Sequence, residues 1–426
     1  SGSASSSRRS WVADADVSRA LNCLRLTTPD LELRYPEDAE QHMEEIRQVM
    51  LPFQPADIYA HGNKTSLWRP PNYHAEHLWM GLYETWLERK ANGSKLSDVF
   101  GPYVPIFTHW VQPWAEVRPN KRRSTYPVGF FSELRRVLRK DVPYITLSQN
   151  DEGLPAPGAD GFQMSEYPNL LVFSGGGYGH VPVPLWKRLP PRGVVDEYSV
   201  PPAPRPTRLY WLSYVGSWLH APRDMRNRAK EKIDEFAAAH GMVVRSEPEA
   251  ETYDTIAARL AQPKLHPPVP TFRNGKVSNK IVYFYNTTRK GRNVWQEILF
   301  SSRFSLTPRG FGRTSYHLAE IMLAGLIPIH IYTDQPWVAY RRLYDAIGFH
   351  TDVKGLPALL ERLASMPEEE WQAREAISRE NAHSHWSPQG IEDQLWRFIS
   401  GRNIYTGDHD EGDLVCQRLP DTVRDA

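Results

Sequence analysis

Apolar positions between residues 31 and 99 fall at helical spacing, as in His77-Leu-Trp-Met-Gly-Leu-Tyr-Glu-Thr-Trp86, where Trp79 and Trp86 lie seven apart on one face. Short apolar runs then take over at 104–107, 144–147 and 170–173. Each is bounded by Pro, Gly, Asn or Asp, which predicts buried strands. Residues 181–206 are rich in proline, ending Pro201-Pro-Ala-Pro-Arg-Pro206, and this stiff text predicts a linker. Beyond it strand and helix patterns alternate. A strand at 209–215 precedes a helix over 224–240 with Met225, Ala229, Ile233 and Phe236 on one face and Gly241 closing it. A strand at 242–245, a proline-rich insertion at 246–270, a strand at 281–285 and a helix near 293–300 follow. The pattern ends in a strand at 303–306, a helix at 315–324 and a strand at 326–331. Such alternation predicts right-handed βαβ units on a parallel sheet. Two lobes of this kind predict a cleft, with ligands beyond the carboxyl ends of the strands.

Composition narrows the partners. The chain has 426 residues, enough for two or three domains, and its 51 Lys+Arg against 50 Asp+Glu leave a net charge of +1. That balance argues against a protein that coats nucleic acid or an anionic membrane. An aromatic content of 12%, with 14 Trp and 20 Tyr, suits clefts that stack on rings. There is no apolar run long enough to span a bilayer. The start Ser1-Gly2-Ser3-Ala4-Ser5-Ser6-Ser7 lacks the apolar stretch of a signal peptide and reads as a linker or scar. A membrane contact is expected only through an anchor ahead of this sequence. Cys23 and Cys416 are the only cysteines, so they are either one staple made in an oxidising lumen or two buried thiols. Three Asn-X-Ser/Thr triplets, at Asn63, Asn92 and Asn286, tilt the reading toward secretion.

The segment from Ser302 to His330 carries the clearest chemistry. A strand ends at Pro308, a loop with Gly310 and Gly312 follows, and Thr314 or Ser315 offers an N-cap hydroxyl to the next helix. A strand, a glycine turn and a helix N-terminus present N–H groups and a positive dipole end to a diphosphate. Arg309 and Arg313 flank that point and can neutralise phosphate charge. Glu320 lies too far into the helix to cap it and can accept hydrogen bonds from a ribose diol.

These residues resemble the signature of the exostosin family, glycosyltransferase family 47: Ser302, Phe304 and Leu306 in the strand, Pro308-Arg309-Gly310, Ser315, Glu320, and Gly325-Leu-Ile-Pro328. Tyr214-Val-Gly216-Ser217 followed by Arg223 resembles the family's strand–glycine–arginine opening of the donor lobe, and Tyr144 to Gly153 its acceptor-lobe strand ending in Asp-x-Gly. The resemblance covers roughly residues 104–400. It implies an α/β protein of the GT-B type, two Rossmann-like lobes facing each other across a cleft. It also implies inverting transfer from a nucleotide sugar, usually a UDP-sugar, and the expected acceptor is a hydroxyl of a glycan or glycoprotein. The Asn-X-Ser/Thr triplets point to a Golgi or other secretory lumen, while the sparse cysteines leave the cytoplasm as the alternative. No metal is expected, since arginines and helix ends do that work. By position, Arg309 and Ser315 are expected at phosphate, Glu320 at the ribose, and Gly216 and Arg223 on the opposite wall, with Gly310 and Arg313 also expected in the donor site. His317 stands where members commonly carry an arginine, which bears on the donor preference. The implied division is a mobile or extended segment at 1–30, an acceptor lobe with a helical extension at 31–204, a donor lobe at 205–400 and a tail at 401–426.

The expected base is Asp151, at a strand end, with His180 in Gly175-Gly-Gly-Tyr-Gly-His180 as second choice. That glycine run lacks the third glycine of a dinucleotide fingerprint and reads as a flexible cleft loop. Three further features are read as structural: His383-Ser-His385, the basic clusters at 121–123 and 135–140, and the tryptophans Trp68, Trp79, Trp86, Trp110 and Trp114. The alternative reading is a catalytically inactive, carbohydrate-binding scaffold built on the same lobes.

Overall fold

The computed structural model describes residues 21–54, 75–110, 127–151, 153–154, 164–186, 208, 210–218, 221–246, 281–285, 298–299, 302–402 and 410–417. The chain divides into two units, one of Ser1–Val183 with Glu392–Val423 and one of Pro184–Ile391 with Arg424–Ala426. Each is an α/β unit built on a parallel sheet, the class that the alternating text predicts.

In the first unit, strands β1 (Val104–Pro105), β2 (Tyr144–Ser148), β3 (Leu170–Ser174) and β4 (Val181–Pro182) pair in that order, all parallel. Every residue in them is buried, which is why they read as continuous apolar runs rather than alternating ones. β4 falls in the stretch predicted as linker, and the boundary between the units comes directly after it, at Val183. Proline fits there because an edge strand has no ladder partner for the missing N–H on one side. Helices α1 (Ala39–Met50), α2 (Ala75–Ala91), α3 (Leu96–Phe100) and α4 (Phe130–Val137) pack on this sheet and on one another. Trp79 and Trp86 of α2 are core residues, and the Trp79 indole N–H donates to the Ile106 carbonyl at 2.9 Å.

The second unit has six parallel strands: β5 (Tyr210–Val215), β6 (Val243–Ser246), β7 (Ile281–Tyr285), β8 (Ser302–Pro308), β9 (Pro328–Tyr332) and β10 (Phe349–Asp352). Their order is β10-β9-β8-β5-β7-β6. The chain winds from β5 to one side and returns through β8 on the other, so the switch point lies between β5 and β8. Helices α5 (Met225–Ala239), α6 (Tyr316–Leu323), α7 (Arg341–Ile347), α8 (Leu356–Ala364) and α9 (Glu368–Trp386) connect and follow the strands. Met225, Ala229, Ile233 and Phe236 are buried as their spacing predicts, and Phe236 stacks on Trp211 with centroids 5.4 Å apart.

A last helix, α10 (Pro388–Ser400), carries the chain back into the first unit. There Trp396 meets Phe100 at 5.4 Å and Phe398 meets Phe173 at 5.2 Å. Cys23 and Cys416 are joined in a disulfide, with Cα atoms 5.6 Å apart, which settles the choice between staple and free thiols. Cys23 and Leu24 are buried, so the last part of the segment expected to be mobile or extended is fixed in place. The expected insertion at 246–270 and helix near 293–300 lie almost wholly outside the described residues.

Candidate functional site

The switch point of the second unit gathers most of the residues singled out for a donor site. At the end of β5 the Tyr214 hydroxyl donates to the Ser217 carbonyl at 2.6 Å. A Cβ at Gly216 would lie 2.6 Å from that hydroxyl, so the glycine is needed for the tyrosine to fold back. Burial pushes the Tyr214 phenol up to about 12, with the Arg226 charge opposing it. Arg223 is exposed and, like Asp224 beside it, has a left-handed backbone with φ 53°. Two adjacent non-glycine residues in this region cost about 1–2 kcal/mol each, held there by the start of α5.

Arg226, one residue into α5, carries a charge that no sequence pattern places in a core. The structure nevertheless buries it across the switch point. Its guanidinium donates to the Arg309 carbonyl at 3.0 and 2.9 Å, from beyond β8, and to the Ser217 carbonyl, from beyond β5. Burial pulls its pKa down, with the nearby Tyr214 opposing. Arg226 thus sets the separation of the two strand ends. Arg226→Ala is expected to cost about 3 kcal/mol, because it strands buried carbonyls. Urea unfolding of the variant measures this, and a loss below about 1 kcal/mol would show the clamp to be dispensable.

The loop after β8 is drawn inward by its own arginines. Arg309 donates to the carbonyls of Gly312 (2.9 Å) and Phe311 (2.8 Å), to the Thr333 hydroxyl and to Asp334 at 3.2 Å. Arg313 reaches the other Asp334 oxygen from Nε at 2.7 Å and Nη2 at 2.5 Å. The two arginine side chains are 3% and 2% exposed and that of Asp334 41%. Partial burial raises the Asp334 pKa, but the bonds and charge of Arg313, with Arg309, outweigh it and hold the carboxyl below its ordinary value. The expected phosphate arginines therefore build the loop, and Gly310 closes it by donating to the Thr314 carbonyl at 2.9 Å. Nothing in the sequence marks Asp334 as their shared partner.

Ser315 occupies the N-cap position of α6 with extended backbone, yet its side chain makes no capping bond. The expected cap is absent: among the described residues the buried Ser315 hydroxyl has no hydrogen-bond partner, and neither does His317 Nε2. His317 Nδ1 lies 3.3 Å from Glu320 Oε2, and the His317 ring stands edge-on to Tyr214 at 6.4 Å. Gly216, Gly310, Ser315, His317 and Glu320 are thus brought to one edge of one sheet, with Arg223 at the rim.

The two candidate bases belong to the first unit. Asp151 is half-buried in the turn after β2, where Gly153 donates to the Asn150 carbonyl at 3.1 Å. His180 is a core residue instead: its Nδ1 accepts from the Val172 N–H at 3.1 Å, and burial pulls its pKa to about 4. A neutral ring with that lone pair engaged has no nitrogen left to take a proton, so His180 is withdrawn as a base. The glycine run before it is not a flexible loop either. All of residues 175–180 are buried, and a Cβ at Gly176 would sit 1.8 Å from the Asn150 carbonyl oxygen. Close backbone packing beneath Asp151 is what the glycines provide.

One group escapes the sequence reading. Glu76, buried at the start of α2, accepts from the backbone N–H groups of Trp110 (2.9 Å) and Gln149 (2.7 Å), tying the segment that follows β1 to the end of β2. His109 Nδ1 lies 3.8 Å away, and the rings of His77 and His109 are 5.1 Å apart. A carboxylate and two histidines drawn from the start of a helix and a loop more than thirty residues on leave no local pattern to find.

The remaining features are structural. His385 is buried against Tyr340, while His383 is exposed. Arg135, Arg136 and Arg139 pair with Glu166, Glu133 and Asp38. Residues 121–123, Trp68, Trp114, Asn63 and Asn286 lie outside the described residues. Among the described residues no group of three or more His, Cys, Asp or Glu is placed to hold a metal ion, and no helix is long and apolar enough to cross a membrane.

No protein-family model matches the chain, and no curated protein matches it. Solved structures do. S. aureus TarM in complex with Fondaparinux, alpha-GlcNAc-glycerol and UDP is 10% identical, with 64% of this chain and 53% of that chain covered and a TM-score of 0.33. WaaG, a glycosyltransferase involved in lipopolysaccharide biosynthesis, is 12% identical over 87% of this chain and 98% of that one, with a TM-score of 0.32. An alpha-glucosyltransferase in complex with UDP is 10% identical over 65% and 78%, with a TM-score of 0.31. The chain spans little more than half the length of TarM. These are similarities of an α/β architecture at low identity.

Proposed function

We propose that the protein is an exostosin-type, inverting glycosyltransferase of GT-B class, moving a sugar from a nucleotide diphosphate, UDP by preference, to a hydroxyl of a glycan or glycoprotein. The observation that carries this reading is the edge of the second sheet at its switch point. There the N-terminus of α6, the unpartnered Ser315 hydroxyl, His317 Nε2 and Glu320 collect beside the β5 and β8 ends. An anion draws the helix end and the hydroxyl together, and a ribose diol suits the Glu320 carboxylate. In this reading the second unit takes the donor and the first the acceptor. Asp151 removes the acceptor hydroxyl's proton, that oxygen attacks the anomeric carbon, and the bond to the diphosphate breaks with its electrons leaving on phosphate. Arg309 and Arg313 act through the loop they hold, and no metal is required. The Cys23–Cys416 disulfide supports a secretory lumen such as the Golgi.

Titration with UDP tests the donor site. Glu320→Ala is expected to weaken UDP by about ten- to a hundred-fold, the worth of hydrogen bonds to a charged group. Unchanged UDP affinity would remove Glu320 from the site. A second reading, the inactive carbohydrate-binding scaffold, draws support from Asp334, which already neutralises the expected phosphate arginines. Absence of both UDP binding and UDP release from a panel of UDP-sugars selects it.

A further inference from the structure

We infer that Asn92 is an acceptor for an N-linked oligosaccharide. The triplet Asn92-Gly93-Ser94 forms the turn that closes α2. Asn92 and Ser94 donate their backbone N–H groups to the Arg89 carbonyl at 3.0 and 3.1 Å, and Gly93 donates to Lys90 at 2.9 Å with φ 88°. Asn92 and Gly93 are exposed, and a Cβ built on Gly93 meets nothing within 4 Å. The turn therefore stands open to a bulky group. Its fold also survives the modification. The Asn92 amide donates one N–H to the Glu88 carbonyl at 3.0 Å, and a glycosylated amide keeps one N–H for that bond.

A second observation comes from elsewhere in the same unit. The Cys23–Cys416 disulfide marks a chain that matures where thiols are oxidised, the compartment in which such triplets are modified. The co-reactant is a polyisoprenyl-diphosphate oligosaccharide. The Asn92 side-chain nitrogen forms a bond to C1 of the first sugar and gives up one proton, and the C1–oxygen bond breaks with its electrons leaving on the lipid diphosphate. Position matters as well. Glu76, at the other end of the 17-residue α2, holds the backbone N–H of Gln149 just past the carboxyl end of β2. A glycan on Asn92 hangs about 25 Å away from that edge, at 1.5 Å per residue, clear of the edge where parallel sheets bind ligands.

The test is to secrete the full chain from a eukaryotic host and map its peptides before and after peptide N-glycosidase. The expected result is loss of the unmodified Asn92 peptide, its return after the enzyme with that side-chain amide hydrolysed to a carboxylate, and a mobility step that disappears in Asn92→Gln. Ser94→Ala serves as the second variant, because it breaks the triplet but keeps the backbone bonds of the turn. Both variants should bind UDP as the parent does. Recovery of unmodified Asn92 from secreted, disulfide-bonded protein overturns the inference. So does finding Cys23 and Cys416 as free thiols in that material.

Discussion

Acidification from pH 6.5 toward 4 is expected to remove about 3 kcal/mol of stability from each unit, at about 1.4 kcal/mol per pH unit of pKa displacement. His180 in the first unit and His330 in the second are both fully buried, and burial pulls each from 6.5 to about 4. At His330 the nearby His350 and Arg309 push the same way, while contacts of 2.8 and 3.2 Å to the carbonyls of Thr307 and Arg313 push back. A neutral ring can donate to only one of those two carbonyls. The unfolded chain takes up its protons near 6.5 and the folded chain near 4. Within that window the unfolded state holds more protons, so stability is full above 6.5 and falls with pH until both states are protonated. Urea unfolding from pH 7.5 to 4.5 measures the slope, and His330→Gln should flatten it for the second unit alone. Equal stability at pH 7 and pH 5 would falsify the assignment of both rings as neutral core residues.

Loss of the Cys23–Cys416 bond is the second large effect, expected to cost about 5 kcal/mol. The bond closes a loop across a sequence separation of 393, and chain-entropy reasoning puts loops of this size at the top of the disulfide range. The cost should fall on the first unit, which contains both cysteines, and leave the nucleotide binding proposed for the second intact. A Cys23→Ser, Cys416→Ser double variant, compared with the parent by denaturant unfolding and UDP titration, separates the two. A shift in midpoint too small to resolve would mean that the tail stays docked without the sulfur link, through contacts such as Gln417 N–H to the His180 carbonyl at 2.7 Å.

Much of the fold is legible in the sequence because burial on both faces of a parallel sheet writes itself as apolar runs. The strands β2, β3, β5, β7 and β8 and the helix α5 stand within a few residues of their expected places. β4 is hidden by Pro182, since proline reads as linker until the neighbouring strand makes it an edge. The candidate site is legible as a segment but not as a set of contacts. Gly310, Ser315 and Glu320 follow the strand–loop–helix order that any sequence can show. The burial of Arg226 depends on two carbonyls that converge from residues 217 and 309, distant along the chain. The capture of Arg309 and Arg313 depends on Asp334, which lies past the next strand and carries no motif. His180 shows the opposite error: a histidine after glycines suggests chemistry, and only its hydrogen bond to Val172 shows a core role.

The disulfide has a mechanical side too. Because Cys23 and Cys416 share one covalent link, tension applied outside that pair passes from one sulfur to the other. Residues Pro184 to Ile391 of the second unit lie within the covalent loop that this link closes. Tension between the two flanking segments is therefore borne by the sulfur pair and not by the stretch of chain between them, for as long as the bond holds.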